Sequence, residues 1–414
     1  MKKLYLLAAA SAICLLSSQS FAAGYQLNEY SVTGLGRAFA GAGVVGDDFS
    51  SLAYNPAGMV LNKTSGIQSG LSVAELYARI RGTNASSTKQ ELAKMHYGVP
   101  LPHIYGQYKA NDRLTFGLGV YTPYGLKTTY KKNSFVANDG VKSELEVIDI
   151  APAIAYKVTD KLSFGASVIA RYIHGHMTNT MAYQQQGVPV SLPAYSDFDL
   201  DGWTMAWSVG AMYEFTPDTR LGVSFKGKSM QTVKGNHEVE VDASLLGMGI
   251  MKKVAYDGKA SPDLPQTLLV SGFHKLNDKW GLSASARWTD WEDSFPEFTL
   301  ESSLGGKTVN ESWRQTWTVS FGADYYLNEN WTLRLGTAYD QSPIRNKYHR
   351  TVRIPDNNRI WLSFGATYKT GNWQFDAGYT RLFMQNYGVE EPSGTKAQFE
   401  SYSNIFGLQA QYKF

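Results

Sequence analysis

Three cationic side chains lie in segments where apolar and polar residues alternate, and they are candidates for binding an anionic group. Arg314 has the polar parity, opposite to Trp313 and Trp317, and Arg171 also has the polar parity of its own segment. His174 has the other parity. A guanidinium forms paired, charge-assisted hydrogen bonds with a carboxylate. The pattern predicts a carboxylate site at Arg314 first, then Arg171, then His174, with structural ion pairs as the alternative.

The histidines do not favour catalysis. His174 and His176 share one strand face and could bind a metal, but two ligands without nearby carboxylates are a weak signal. The seven histidines form no set with a nucleophile that would indicate a hydrolase. The sequence therefore predicts a protein that is not an enzyme, with no metal and no other cofactor.

The elements that carry these side chains are predicted to be membrane-crossing strands. From about residue 65 onward, segments of about ten residues alternate, which is the length a tilted strand needs to cross a bilayer. In the last segment Phe406, Leu408 and Phe414 share one parity, and Gln409 and Gln411 share the other. One face towards lipid and one towards a lumen is typical of a transmembrane β-barrel. A large secreted β-domain is the alternative.

Short and long connections alternate along the chain. Short polar turns with residues that tolerate tight geometry fall at 110–113, 158–161, 216–219, 276–279, 327–330 and 370–372. Longer polar loops fall near 83–100, 126–143, 176–201, 237–263, 301–311, 344–357 and 388–398. Six turns and seven loops join 14 strands, and an even number is expected of a closed antiparallel barrel with both termini on the short-turn, periplasmic side.

The first 22 residues predict a secretory signal peptide. Lys2 and Lys3 precede an apolar run, and the SFA at 20–22 has the pattern of a cleavage site. A transmembrane helix is the alternative, but the run is shorter than the roughly 20 residues that a bilayer requires. The only cysteine, Cys14, lies in this leader, so the mature chain is expected to lack thiol chemistry.

The composition is consistent with an exported membrane protein. The chain has 26 tyrosines, 10 tryptophans and 19 phenylalanines, and its formal net charge is only +3. A nearly neutral chain is not suited to nucleic acid as a partner. We expect a monomer in the bacterial outer membrane, surrounded by lipid and lipopolysaccharide.

The stretch at 31–59 is crowded with glycine and alanine and contains Asn55-Pro56-Ala57. Small residues let a backbone pack closely against a confined wall. Phe39 and Phe49 favour packing over a flexible linker, which is the alternative, and the glycine spacing does not match a phosphate-binding loop. The stretch predicts a plug, or hatch, threaded into the lumen.

AGYQLNEYSVTGLGRAFAGAG (23–43), followed by AYNPAGM (53–59), resembles the N-terminal hatch of the FadL family of outer-membrane transporters for long-chain fatty acids and other hydrophobic compounds. The segments 271–291 and 330–368 resemble later strands of that family. The resemblance covers essentially the whole mature chain. It implies an all-β fold, a 14-stranded barrel with a hatch in its lumen, and uptake of hydrophobic molecules. The expected units are a signal peptide (1–22), a hatch (23–64) and a barrel (65–414).

The resemblance also implies a route and roles for single residues. Ligand is captured between extracellular loops, binds in the lumen, displaces the hatch and leaves sideways at a distorted third strand. Arg314 matches a basic family position, and His174 lies near another. Tyr25 is the aromatic third residue of the mature chain, and Asn55-Pro56-Ala57 matches a family turn.

Two segments are candidates for capture and exit. The capture candidates form an apolar cluster in a polar loop, which commonly marks a binding surface: Leu245, Leu246, Met248, Ile250 and Met251. Packing against a neighbouring loop is the alternative. The exit candidates are residues expected to interrupt strand pairing, although an ordinary strand end would also explain the last two: Gly117, Gly119, Pro123 and Gly125.

The sequence therefore predicts passive uptake of hydrophobic molecules, with long-chain fatty acids as the substrate. The arginines favour an acid over the main alternative, which is uptake of neutral aromatic or aliphatic hydrocarbons. A structural or adhesive outer-membrane protein is the remote alternative. The hatch argues against a general diffusion porin.

Overall fold

The computed structural model describes residues 24–184, 190–230, 232–244, 247, 249–294, 297–303 and 305–414. The predicted leader lies outside these ranges. The helices in the described part of the chain are short, at Val32–Leu35, Ser51–Tyr54, Pro56–Leu61 and Trp291–Ser294. None of them has the length and apolarity needed to cross a membrane.

Strands make up most of the described residues. In chain order they are β1 (Gly66–Asn84), β2 (Ser87–Lys109), β3 (Leu114–Thr129), β4 (Lys142–Lys157), β5 (Leu162–Tyr183), β6 (Leu192–Thr216), β7 (Thr219–Lys226), β8 (Val233–Asp242), β9 (Ile250–Ala260), β10 (Thr267–Lys275), β11 (Trp280–Thr289), β12 (Glu297–Ser302), β13 (Gly305–Asn310), β14 (Thr316–Tyr326), β15 (Trp331–Asp340), β16 (Arg359–Thr370), β17 (Trp373–Met384), β18 (Tyr387–Glu390) and β19 (Lys396–Lys413).

Fourteen of these strands form a closed antiparallel barrel, as the sequence predicts. The other five extend the sheet beyond one end of the wall, and they are β8, β9, β12, β13 and β18. The ring closes where β1 pairs with β19, from Gly66 opposite Lys413 to Thr83 opposite Lys396. Closure matters because hydrocarbon offers no partner for the backbone groups of an open sheet edge.

The two faces of the wall have the predicted chemistry. In β19, Phe406 and Leu408 face outward with 51% and 71% exposure, whereas Gln409 and Gln411 are buried in the interior. In β14, Trp317 faces outward as predicted. Trp313, which was expected on the same face, instead precedes the strand and is buried.

Tight turns connect wall strands at one end, the short-turn end. The side chain of Asn111 accepts hydrogen bonds from the backbone N–H groups of Arg113 and Leu114. Asn277 and Asn328 cap their turns in the same way. These local bonds explain why turn residues were readable from sequence.

The opposite, long-loop end differs from the sequence prediction. Segments expected as loops at 83–100, 176–201 and 237–263 continue largely as paired strands, in the β1–β2, β5–β6 and β8–β9 hairpins. The outward side chains there are polar, such as His174 and His176 of β5. Apolar alternation therefore stops where the strand leaves lipid, although the strand itself continues.

Residues 24–62, here called the N-terminal segment, lie against inward-facing groups of the wall. The N–H of Val32 donates to Gln409 Oε1 (3.0 Å), and the N–H of Gly41 donates to Ser285 Oγ (2.9 Å). The segment approaches the wall most closely at glycines: a Cβ added to Gly336 would lie 2.1 Å from the carbonyl carbon of Arg37. A side chain at this wall position would displace the segment.

Candidate functional site

A cavity of about 500 Å³ lies at the long-loop end of the barrel. Its size falls in the range of small-molecule pockets. Alternate residues of β5, from Ile173 to Met181, form one wall. The other apolar lining residues include Leu126, Leu145, Phe198, Leu200, Val233, Leu300 and Ile354. The cavity suits an elongated apolar ligand, because its flexible methionines can adapt to irregular shapes.

Tyr25 of the N-terminal segment lines this cavity and is 1% exposed. Its ring packs edge-on against Trp291, with 4.7 Å between centroids, and also contacts Trp313 and Tyr124 at 5.6 and 6.1 Å. Four aromatic rings from four separate parts of the chain thus meet at the boundary between the cavity and the N-terminal segment.

Arg353 supplies a positive charge to the cavity lining. Its guanidinium donates to Ser143 Oγ (3.0 Å), to the carbonyl of Lys142 (3.2 Å) and to Asn179 Oδ1 (3.1 Å). None of the described carboxylates forms an ion pair with it. Burial lowers the pKa of Arg353 to about 10, so the side chain is still cationic at neutral pH. Asp139 and Glu391 of the same lining interact electrostatically with this guanidinium without forming an ion pair with it, so its charge is only partly compensated.

The acidic residues of the cavity lining are mostly engaged elsewhere. Glu144 forms ion pairs with Lys127 (3.0 Å) and Lys142 (2.5 Å). Asp139 accepts a hydrogen bond from the hydroxyl of Thr395 (2.6 Å). These contacts reduce, but do not cancel, the negative charge of the lining.

Glu311 also lines the cavity and lies beside the aromatic boundary. Its carboxyl accepts a hydrogen bond from Trp313 Nε1 (3.1 Å) and is buried. Burial raises the pKa of Glu311 to about 8. The group is therefore largely protonated at neutral pH, which lets an acidic side chain lie in an apolar floor.

The three predicted cations do not converge on this cavity. Arg171 faces inward, but its guanidinium is occupied by Asp149, at 2.7 and 2.8 Å, and by Ser229 Oγ at 2.7 Å. Arg314 precedes β14 and donates to the carbonyl of Ser342 (3.2 Å). Neither residue lines the cavity.

His174 corrects the sequence prediction most clearly. Its ring lies 2.9 Å from a carboxylate oxygen of Asp199 on the outward face of β5, while its neighbours Ile173 and Gly175 line the cavity. His174 has the parity opposite to that of the cavity-lining residues, so its side chain lies on the outer face. Within the described ranges, no group of three or more His, Cys, Asp or Glu side chains is arranged to hold a metal ion.

The predicted capture cluster is only partly visible. Leu245, Leu246 and Met248 lie outside the described residues. Ile250 and Met251 begin β9, opposite Asp242 and Val241 of β8. Residues 237–242 and 250–260 are thus paired strands rather than parts of an irregular loop.

The third strand is distorted, but of the four predicted residues only Pro123 lies within the distortion. At Gly117 and Gly119 the pairing of β3 with β2 and β4 is regular. These glycines instead make room for the N-terminal segment: a Cβ on Gly117 would lie 2.6 Å from Leu52 Cδ1. The irregularity falls between Tyr121 and Tyr124 and includes Pro123.

Beyond this point β2 and β3 separate. Their pairing ends at Ile104 opposite Val120, although β2 starts at Ser87 and β3 continues to Thr129. The separated part of β2 contains Pro100 and Pro102, which have no N–H to donate to a neighbouring strand. The pairing of the wall therefore has a gap here, bridged by the hydroxyl of Tyr97, which donates to the carbonyl of Lys127. These two prolines were not identified as part of it from the sequence.

The N-terminal segment covers the free edge of β3 at this opening. The N–H of Leu27 donates to the carbonyl of Pro123 (2.9 Å), and the N–H of Gly125 donates to the carbonyl of Tyr25 (2.8 Å). Residues 25–27 thus act as a short extra strand. One stretch of three residues therefore contacts both the cavity and the free edge of β3.

Asn55-Pro56-Ala57 anchors the segment on the other side of the lumen. Asn55 Oδ1 accepts from the N–H of Ala57 (3.0 Å), and Asn55 Nδ2 donates to the carbonyl of Ala211 in β6 (3.1 Å). Pro56 begins the 3-10 helix at a position where no backbone donor is needed. The facing wall residue, Gly165, leaves room for the backbone at Pro56.

Comparison with known sequences agrees with this architecture. The profile of the family described as "Outer membrane protein transport protein (OMPP1/FadL/TodX)" matches residues 13–414. A similar curated protein is the long-chain fatty acid transport protein of Escherichia coli O6:H1, which is 28% identical, with 98% of each chain covered.

Solved structures are similar as well. The crystal structure of a Pseudomonas aeruginosa FadL homologue has a TM-score of 0.85 and 25% identity, covering 95% of this chain and all of that one. The Pseudomonas putida toluene transporter TodX has a TM-score of 0.72 and 18% identity, covering 94% of this chain and all of that one. At that identity the second likeness shows the fold alone.

Proposed function

The chain belongs to the outer-membrane transport family described as OMPP1/FadL/TodX, and from this premise we propose that it takes up long-chain fatty acids across the outer membrane. The observation that carries the proposal is Arg353, a cation that forms no ion pair with a described carboxylate, in the lining of an apolar cavity of about 500 Å³. An apolar tail would fill the cavity while the carboxylate meets the guanidinium.

The route begins at the long-loop end and ends at the gap between β2 and β3. Ligand enters from the outside, where the cluster at 245–251 assists capture, and binds in the cavity against Tyr25. Displacement of residues 25–27 then uncovers the edge of β3. The ligand leaves sideways through this opening, down its concentration gradient and without any catalytic step.

The orientation follows from this route. The short-turn end and both termini face the periplasm, and the long-loop end faces the lipopolysaccharide surface. Residues 23–64 act as the hatch and residues 65–414 as the barrel. A single chain encloses cavity, hatch and opening, so the protein functions as a monomer.

Arg353→Gln tests the head-group contact. We expect oleate to bind about tenfold more weakly, because one charge-assisted contact is lost, while the neutral oleyl alcohol binds within about twofold of wild type. Equilibrium binding to purified protein measures both ligands. Arg345→Gln is the matched control, since Arg345 lies in the same loop, pairs with Glu292 and does not line the cavity. Unchanged oleate affinity in Arg353→Gln would contradict the proposal.

Uptake of neutral hydrocarbons is the second candidate function. It is favoured by the acidic residues Asp139, Glu144 and Glu391 in the lining, and by the pairing of Arg171 with Asp149. Growth of a deletion strain on oleate and on an alkylbenzene separates the two functions. A defect on the alkylbenzene alone would favour the second.

A further inference from the structure

Arg287 of β11 is an inward-facing cation that lies outside the cavity described above. It lines a second, much smaller void of about 20 Å³, together with Asn28, Phe39 and Tyr54 of the N-terminal segment and Trp361 of the wall. A void of this size holds about one water molecule. It is lined from both the wall and the N-terminal segment.

The void has polar groups without partners. Arg287 Nε, Trp361 Nε1 and Asn28 Oδ1 are buried atoms that make no hydrogen bond in the described structure. Trp361 and Asn28 are 1% and 4% exposed. Unpaired buried polar groups are costly and uncommon, so their convergence on one void is informative. Two of the three are donors, which suits an anion.

Four other interior arginines have compensating carboxylates. Arg171 pairs with Asp149 at 2.7 Å, and Arg359 pairs with Asp340 at 3.0 Å. Arg37 and Arg334 share Asp47 and Asp324, with distances of 2.6 to 3.1 Å. Within the described part of the chain, Arg287 has neither an ion pair nor a hydrogen bond. Arg220, Arg350 and Arg353 also form no ion pair in the described structure, but each donates hydrogen bonds to oxygen atoms. Arg287 differs from them in having neither kind of partner.

Arg287 lies between two attachment points of the N-terminal segment on β11. Two residues further along, Thr289 Oγ1 donates to Gln26 Oε1 (3.0 Å), within the stretch that covers the edge of β3. Two residues back, Ser285 Oγ accepts from the N–H of Gly41 (2.9 Å). Movement of the segment that opened the wall would therefore also enlarge the void at Arg287.

We propose that Arg287 is a second, deeper binding residue for the ligand's carboxylate, occupied after the Tyr25 boundary opens and before the chain leaves between β2 and β3. Trp361 Nε1 supplies a further donor. This inference rests on the proposed function and names the ligand class as a single-tailed carboxylate. In the closed state the void has room for about one water molecule, and the carboxylate would take this place when the N-terminal segment shifts.

The test compares initial uptake of oleate and oleyl alcohol in cells that carry wild type, Arg287→Gln or Arg287→Lys in place of the native copy. We expect Arg287→Gln to slow oleate uptake about tenfold, the loss for one charge-assisted contact, with oleyl alcohol within about twofold and partial recovery in Arg287→Lys. Oleate binding to purified Arg287→Gln stays at the wild-type level, because the upper cavity is intact.

Arg220→Gln is the matched control, since Arg220 also faces inward but donates to the carbonyl of Val45. Unchanged oleate uptake in Arg287→Gln would overturn the inference, and so would an equal loss for the acid and the alcohol, which indicates a structural role. Barrel folding is checked by heat-modifiable gel mobility, and Arg287→Lys carries the comparison if Arg287→Gln does not fold. A wild type that takes up no oleate above the deletion strain refutes the proposed function instead.

Discussion

The two halves of the lumen are built in opposite ways. At the long-loop end an open cavity has apolar walls and a cation, Arg353, without an ion-pair partner in the described chain. At the short-turn end the N-terminal segment packs against inward-facing wall residues, and Arg37 and Arg334 form ion pairs with Asp47 and Asp324. The ion-pair network of Arg37 and Arg334 thus stabilises the packing of the N-terminal segment, whereas Arg353 keeps a charge that a ligand can meet.

A disulfide that fixes the N-terminal segment to β3 is expected to have the largest effect on oleate uptake. Gln26 and Tyr124 face each other in an isolated antiparallel bridge, a geometry with short Cα distances that suits a disulfide. The double variant Gln26→Cys/Tyr124→Cys should lose oleate uptake when oxidised and regain it on reduction, while oleate binding to the cavity persists. The only native cysteine is Cys14 in the predicted leader, so the mature background is free of thiols.

The single variants Gln26→Cys and Tyr124→Cys are the controls, and each should transport in both redox states. Transport through the oxidised double variant would show that residues 25–27 need not move. The difference between the long-loop end and the short-turn end of the lumen would then have no role in transport.

Removing one carboxylate from the ion-pair network at the short-turn end should have a smaller effect, limited to the stability of the N-terminal segment. Asp324→Asn leaves Arg37 and Arg334 with Asp47 as their nearest shared partner, and removal of one member of a buried network costs about 3 kcal/mol. We expect faster hydrogen exchange in residues 24–62 and unchanged exchange in β1 and β19. Asp376→Asn is the comparison, because its carboxylate is 3.9 Å from Arg334 and does not contact Arg37. Equal protection of the segment in wild type and Asp324→Asn would contradict this account.

The smallest expected effect concerns pH at the boundary. The pKa of Glu311, raised to about 8 from an ordinary 4.5 by burial, means that the folded chain keeps a proton that the unfolded chain has lost. Stability from this site is therefore fully present below about pH 4.5 and decreases as pH rises through 8. Tryptophan fluorescence should change with a midpoint near pH 8, through the contact between Glu311 and Trp313.

Glu311→Gln should remove this transition, since an amide does not titrate. A variant that keeps the same midpoint would assign it to another group. Trp313→Phe, which keeps the ring but not the N–H, should lose the fluorescence signal without abolishing the proton binding.

Local chemistry explains what could be predicted from the sequence. Turns such as the one at Asn111 use side chains that bond to their own backbone, and β19 shows its facing in every second residue. The number of strands follows from such local signals. Strand ends at the long-loop side were misjudged because polar outward residues such as His176 look like loop residues.

The site was harder to predict because its parts come together only in the folded chain. Arg353 meets Ser143, 210 positions away, and Tyr25 meets Trp291 and Trp313. Arg171 was correctly placed in the interior, but nothing local indicated that Asp149 of the neighbouring strand compensates its charge. Parity indicates which face a side chain occupies and does not indicate its partner.

The three-residue strand at 25–27 has a consequence for how tightly the outer membrane stays sealed. If residues 25–27 detach as proposed, the carbonyl of Pro123 and the N–H of Gly125 lose their partners, and each such group left unpaired away from water costs several kcal/mol. The uncovered state of the β3 edge would therefore be short-lived without a ligand, and a ligand that shields those backbone groups would prolong it. Under the proposed route, the cost of these unpaired amides would keep the edge of β3 covered when no ligand is bound.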